Sequence, residues 1–116
     1  MKTSDTFTYG KYTKYECNFK TARYLNGNLA LQIVGAKGSE LEGEPICTAS
    51  VNPGIEIPPT QIAVKNWSEN DGMDDFLAKT GIIGELVGKI PSGFVTIPVY
   101  ALTESGLELF GLCMKP

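Results

Sequence analysis

The dipeptide Asn26-Gly27, set between two stretches in which apolar and polar residues alternate, constrains this chain more than any other feature. Both positions accept the positive φ that a two-residue turn between twisted antiparallel strands demands. Before it, Tyr15, Cys17, Phe19 and Thr21 fall on one side and Lys14, Glu16, Asn18 and Lys20 on the other. That is period two across residues 12–21, a strand with one wet face. After it, Leu29, Leu31 and Ile33 alternate with Ala30, Gln32 and Val34 as the return strand. A β-hairpin therefore anchors the fold.

The rest of the chain is punctuated at short intervals. Residues 35–44 hold Gly, Ser and Glu without an apolar period and read as an acidic loop. Ile46–Val51 reads as a third strand, closed by the turn Asn52-Pro53-Gly54. Pro58-Pro59 excludes helix and central-strand pairing, and residues 61–65 read as an edge strand or extended segment. One short helix is expected over about residues 69–80. Ser68, Glu69, Asp71, Asp74 and Asp75 suit its positive N-terminal end, and Met73, Phe76 and Leu77 share a face. Lys79 suits the last turn and Gly81 the C-terminal stop. Residues 82–90 are apolar but broken by Gly84 and Gly88, and support no assignment. Pro91-Ser92-Gly93 reads as a turn. Residues 94–102 follow as a strand with Val95, Ile97, Val99 and Ala101 on one face, in which Pro98 indicates an edge or a bulge. Glu104-Ser105-Gly106 reads as a turn and Leu107–Cys113 as a last strand. The expected fold is α+β, a single domain over residues 1–116. It is a twisted, mainly antiparallel sheet of five or six strands, with the helix covering one face or end. A chain of 116 residues buries roughly two-thirds of its unfolded surface, enough for a core without staples.

The composition removes several kinds of chemistry. There is no histidine, which excludes Ser-His-Asp and Cys-His nucleophilic catalysis and histidine-containing zinc sites. Cys17, Cys47 and Cys113 are odd in number and far apart, which suits free thiols in a reducing cytoplasm better than a disulfide framework or a metal site. The opening residues Met1-Lys2-Thr3-Ser4-Asp5 run into polar sequence, unlike a secretory leader, and no apolar stretch approaches bilayer length. Gly35-Ala36-Lys37-Gly38-Ser39 lacks the spacing of a phosphate-cradling loop. Residues 69–75 resemble a calcium loop only superficially, since the twelfth position counted from Glu69 is Thr80. The sequence implies no enzyme, no cofactor and no metal.

Two surfaces remain as candidates. The net charge of −3 is unevenly spread. Lys2, Lys11, Lys14, Lys20 and Arg23 outnumber Asp5 and Glu16 in the first 24 residues, whereas residues 40–75 carry eight acids against Lys65 alone. Within that acidic stretch Glu40, Glu42, Glu44, Asp71, Asp74 and Asp75 are candidate partner-binding residues. Trp67 is their candidate anchor, with a core plug as its other reading. The second surface is the aromatic and basic N-terminal region, where Tyr9, Tyr12, Lys14 and Lys20 combine stacking faces with cations. The same aromatics also suit strand packing and protein interfaces. The overall negative charge argues against general nucleic-acid binding and favours a basic protein surface as partner; homo-oligomerisation stays open.

Four strings look familiar together: Tyr24-Leu25-Asn26-Gly27-Asn28-Leu29-Ala30-Leu31, Val51-Asn52-Pro53-Gly54, Lys65-Asn66-Trp67-Ser68-Glu69-Asn70-Asp71-Gly72-Met73 and Pro91-Ser92-Gly93-Phe94-Val95-Thr96-Ile97-Pro98-Val99. Over roughly residues 24–102 the chain resembles a family of small, functionally unassigned proteins encoded on phages and mobile elements of Gram-positive and gut bacteria. The matching positions are turns and packing residues, so the resemblance brings no catalytic residues. It implies a non-enzymatic anti-defence protein of the host cytoplasm that binds and blocks a host defence factor, such as a CRISPR effector nuclease. Two alternatives stand beside it. One is an oligomeric sponge for a nucleotide signalling molecule, using the N-terminal aromatics and the Gly-rich 81–93 segment. The other is a single-stranded nucleic-acid binder working through residues 7–24.

Overall fold

The expected hairpin is the middle of a four-stranded meander. A computed structural model of the chain describes residues 1–10 and 12–112. Strands β1 (Phe7–Tyr9), β2 (Tyr15–Arg23), β3 (Leu29–Gly35) and β4 (Pro45–Thr48) lie in the order β1-β2-β3-β4, all antiparallel. The turn holds three residues, not two. Tyr24 N–H donates to the Asn28 carbonyl at 2.9 Å, leaving Leu25-Asn26-Gly27 as the loop with Gly27 at φ +89°. A type I turn closed by a left-handed glycine is the usual three-residue solution. The inward face is the one the alternation indicates: Cys17 and Phe19 on β2, and Leu29, Leu31 and Ile33 on β3, are all buried. Residues 36–44 form a loop that folds back on Gly35, where a Cβ would sit 1.8 Å from the Leu41 carbonyl oxygen.

The fold is α+β as expected, but the described residues form seven strands in two sheets in place of one sheet of five or six. Strands β5 (Gln61–Ala63), β6 (Ile83–Ser92) and β7 (Val95–Leu102) form the second sheet in the order β5-β7-β6, again antiparallel. The expected third strand ends at Thr48 because residues 49–51 change sheets. Ala49 N–H donates to the Leu31 carbonyl and Lys65 N–H to the Ala49 carbonyl, each at 2.9 Å, while Val51 N–H reaches the Ala63 carbonyl at 3.1 Å. The unassigned stretch 82–90 supplies most of β6, and that strand runs through Pro91-Ser92 to turn at Gly93-Phe94. Strand β7 is central rather than an edge. Pro98 is tolerated there because the β5 register ends at Ala63–Val99, while on the other side it pairs in register with Lys89 of β6. The Pro98 carbonyl still accepts Val64 N–H at 3.0 Å.

The helical segment after Trp67 is divided. A 3₁₀ turn covers Ser68–Asn70, and helix α1 spans Met73–Lys79 after Gly72 at φ +87°. Met73 and Leu77 are buried, and the helix closes as its glycine suggests. Ile82 N–H bonds the Leu77 carbonyl and Gly81 N–H the Ala78 carbonyl, with Gly81 left-handed.

A second helix, α2 (Glu104–Leu109), stands where a turn and last strand were expected. Thr103 caps it by accepting Gly106 N–H at 3.0 Å, and Gly111 ends it with the same pair of bonds as Gly81. Cys113, the expected end of that strand and the third expected free thiol, lies outside the described residues.

Between the sheets, Phe19, Leu31, Ile33, Ile62, Val64, Met73, Leu77 and Leu109 form the main core, each such side chain contributing roughly 1.5–3 kcal/mol on burial. A smaller cluster of Ala63, Ile97 and Val99 lies on the other face of β5 and β7, packed with Ile57 and Trp67. No helix among the described residues is long and apolar enough to cross a membrane.

Candidate functional site

The site is built on an aromatic cluster that joins the edge of the first sheet to α1. Phe7 and Tyr9 are two residues apart on β1 and so project from the same face. Phe7 stacks on Phe19 at 4.2 Å between ring centroids, and Tyr9 meets Phe76 of α1 edge to face at 4.9 Å. Such pairs add about 0.5–1.5 kcal/mol beyond the area they bury. They fix α1 beside a strand only three residues long. Burial first, and then its hydrogen bond to Cys47, push the Tyr9 hydroxyl up to about 12.

Along this seam opens a cleft of about 670 Å³. Thr8 and Tyr9 line it from β1, and Gly10, Tyr12 and Lys14 from the loop that follows. Ser68, Glu69, Asp71 and Gly72 line the opposite wall, with Met73, Asp75, Phe76 and Lys79 of α1. Tyr12 is 94% exposed, an aromatic face held at the mouth. Lys14 Nζ donates to the Gly10 carbonyl at 2.6 Å, which ties the loop to itself. Ser68 has φ +55°, the one described non-glycine residue in the left-handed region. Residues held there cost energy that the surrounding structure must supply. Glu69 Oε1 accepts Lys65 Nζ at 2.5 Å, a bond that holds the Glu69 carboxyl below its ordinary value.

The candidate residues from the two surfaces thus meet in part. Tyr9, Tyr12 and Lys14 from one, and Asp71 and Asp75 from the other, line the same cleft. Glu40 lines a neighbouring depression that also includes Lys14, so it flanks the same loop from the other side. Glu42 Oε1 accepts Gly38 N–H at 2.5 Å and shapes its own loop, while Glu44 is exposed and its carbonyl accepts Gly35 N–H. Lys20 is exposed on β2 and lines neither hollow. Trp67 is half-buried in the smaller apolar cluster, the core-plug reading. Asp74 turns toward the second sheet, where its Oδ2 accepts the Tyr100 hydroxyl at 2.8 Å and Asn66 Nδ2 at 3.1 Å. The Gly-rich 81–93 segment lies outside the cleft; its Leu86 and Lys89 line a separate shallow depression with Asp74 and Tyr100.

Residue types alone do not single out Thr8, Ser68, Phe76 or Lys79 as cleft residues, and their common feature is proximity across the β1–α1 seam. Burial raises the thiols of Cys17 and Cys47 above their ordinary value, so both are protonated and weakly nucleophilic at neutral pH. Among the described residues no group of three or more His, Cys, Asp or Glu side chains is placed to hold a metal ion. What the cleft presents is an aromatic floor, charges of both signs at its rim and the outer edge of a strand. No family model, curated protein or solved structure matches the chain.

Proposed function

We propose that this protein acts by docking on another protein and blocking it, as an anti-defence factor of a phage or mobile element in the cytoplasm of its bacterial host. One observation carries the docking part: Tyr9, Tyr12 and Lys14 on one side and Glu69, Asp71 and Asp75 on the other, far apart in the chain, converge on one aromatic-floored cleft. Exposed tyrosine beside charged side chains is the composition of interface anchors. The acids on either side of Lys14 suit a partner with a basic surface, such as the nucleic-acid channel of a CRISPR effector nuclease. That choice of partner comes from the family resemblance.

A cleavage and pull-down assay against such nucleases tests the reading, using the triple variant Tyr12→Ala, Glu40→Lys, Asp75→Lys. All three residues are exposed, so the fold should survive. The expected result is at least about a thirtyfold loss of inhibition with an unchanged melting temperature, the weight of one strong interface anchor. Undiminished inhibition removes this face from the mechanism.

A second reading is favoured by Lys14 and Lys79 standing beside Tyr9, Tyr12 and Phe76, an arrangement that suits a stacked base and its phosphate. Sequestration of a nucleotide signal predicts a rise in melting temperature with cyclic nucleotides, because a ligand that binds only the folded state stabilises it by mass action. Binding of single-stranded nucleic acid predicts an affinity that falls steeply with salt.

A further inference from the structure

We infer that the cleft receives an extended, basic segment of a partner protein, which adds to β1 as a further strand of the first sheet. This rests on the reading of the cleft as the docking site and specifies how docking is achieved. Strand β1 is the terminal strand of its sheet, paired with β2 on one side, and its Thr8 and Tyr9 line the cleft. A terminal strand presents a row of N–H and C=O groups ready to pair with another chain. Strand addition of this kind draws affinity from main-chain bonds and selectivity from pockets for alternate side chains.

The pocket side is present as well. Residues of an added strand would alternately face the wall formed by Tyr9, Met73, Phe76 and Asp75, and the side away from it. Asp75 is exposed on that wall, one helical turn before Lys79. Lys14 has its ammonium engaged by the Gly10 carbonyl. A segment with arginine or lysine opposite Asp75 and an apolar residue over Phe76 matches this surface in charge and shape. The hollow of about 670 Å³ falls within the usual range of ligand sites. Among the other terminal strands, the long β6 is a poorer acceptor because it carries Pro91, which has no N–H to donate.

The test is an NMR titration of the full-length protein with a blocked peptide of alternating valine and arginine, and with the same peptide N-methylated at alternate amides. Methylation removes main-chain donors and leaves the side chains in place. The expected result is at least about a tenfold slowing of hydrogen exchange within Phe7–Tyr9 with the parent peptide, lost with the methylated one. Equal shifts at Asp75 and Phe76 from both peptides, without protection of β1, overturn strand addition and leave the docking cleft standing. Shifts with cyclic nucleotides and none with either peptide overturn both.

Discussion

The Tyr100 hydroxyl donates to Asp74 Oδ2 at 2.8 Å, pinning the first turn of α1 to the central strand of the second sheet. Burial alone would raise the Asp74 carboxyl; the bonds from Asn66 and Tyr100 outweigh it and hold Asp74 below its ordinary value. Burial, and then the bond to Asp74, push Tyr100 up to about 12.

The two groups set opposite limbs of a pH profile. A lowered carboxyl adds stability above its ordinary value of 3.8, and that stability is lost as the pH falls through the range below it. A raised phenol adds stability below its ordinary value of 10.0, and that stability is lost as the pH climbs toward about 12. Tyr9 shares the alkaline limb, and the raised thiols of Cys17 and Cys47 act in the same direction. Urea midpoints measured across pH should fall at both ends. Asp74→Asn should flatten the acid limb and Tyr100→Phe part of the alkaline one, each costing about 1 kcal/mol at neutral pH. An acid limb unchanged in Asp74→Asn would show that the bond does not hold the carboxyl.

Gly106 lies inside α2, and Gly106→Ala brings two effects into competition. Alanine favours a helix interior by about 1 kcal/mol over glycine. A Cβ at this position, however, would sit 2.3 Å from the Ile82 carbonyl oxygen, a backbone atom that cannot swing aside. Overpacking of this kind costs about 1–3 kcal/mol, so the variant should be less stable despite its better helix propensity. Calorimetry decides, and a raised melting temperature would contradict the close approach.

Cys17 and Cys47 face the same side of the first sheet but lie on β2 and β4, with β3 between them. Two strand spacings separate such positions by about 9–10 Å, beyond the roughly 7 Å that a disulfide can bridge. Treatment of the Cys113→Ser variant with diamide should therefore leave both thiols free within the monomer, as peptide mapping by mass spectrometry would show. An intramolecular Cys17–Cys47 bond would require the meander to come apart.

What the amino-acid order discloses depends on how local each cause is. The β2–β3 hairpin is legible because its alternation and its left-handed Gly27 are properties of neighbours. Helix α1 is legible through the spacing of Met73 and Leu77 and the Gly81 stop. Helix α2 is not: Glu104-Ser105-Gly106 looks like a turn, and the reason for glycine there is the Ile82 carbonyl. Strand β6 is hidden because its apolar residues Leu86 and Val87 are largely exposed and its pairing is irregular, which erases the period-two signature. The site follows the same division. Tyr12 and Asp75 are recognisable as surface candidates, yet their meeting depends on Phe7 and Tyr9 docking on Phe76. Asp74 and Asp75 look equivalent in a run of acids, but consecutive helical positions diverge by about 100°, so one closes the second sheet while the other borders the cleft.

The crossing at Ala49–Val51 has a consequence for the order of assembly on the ribosome. The meander can pair as it emerges, since each of its strands joins the one just made. Strand β5, hung beside it through that crossing, finds its ladder partner only when β7 arrives, more than thirty residues later. Until then a nascent chain carries a paired meander with one apolar face bare, and the arrival of β7 and α2 covers it.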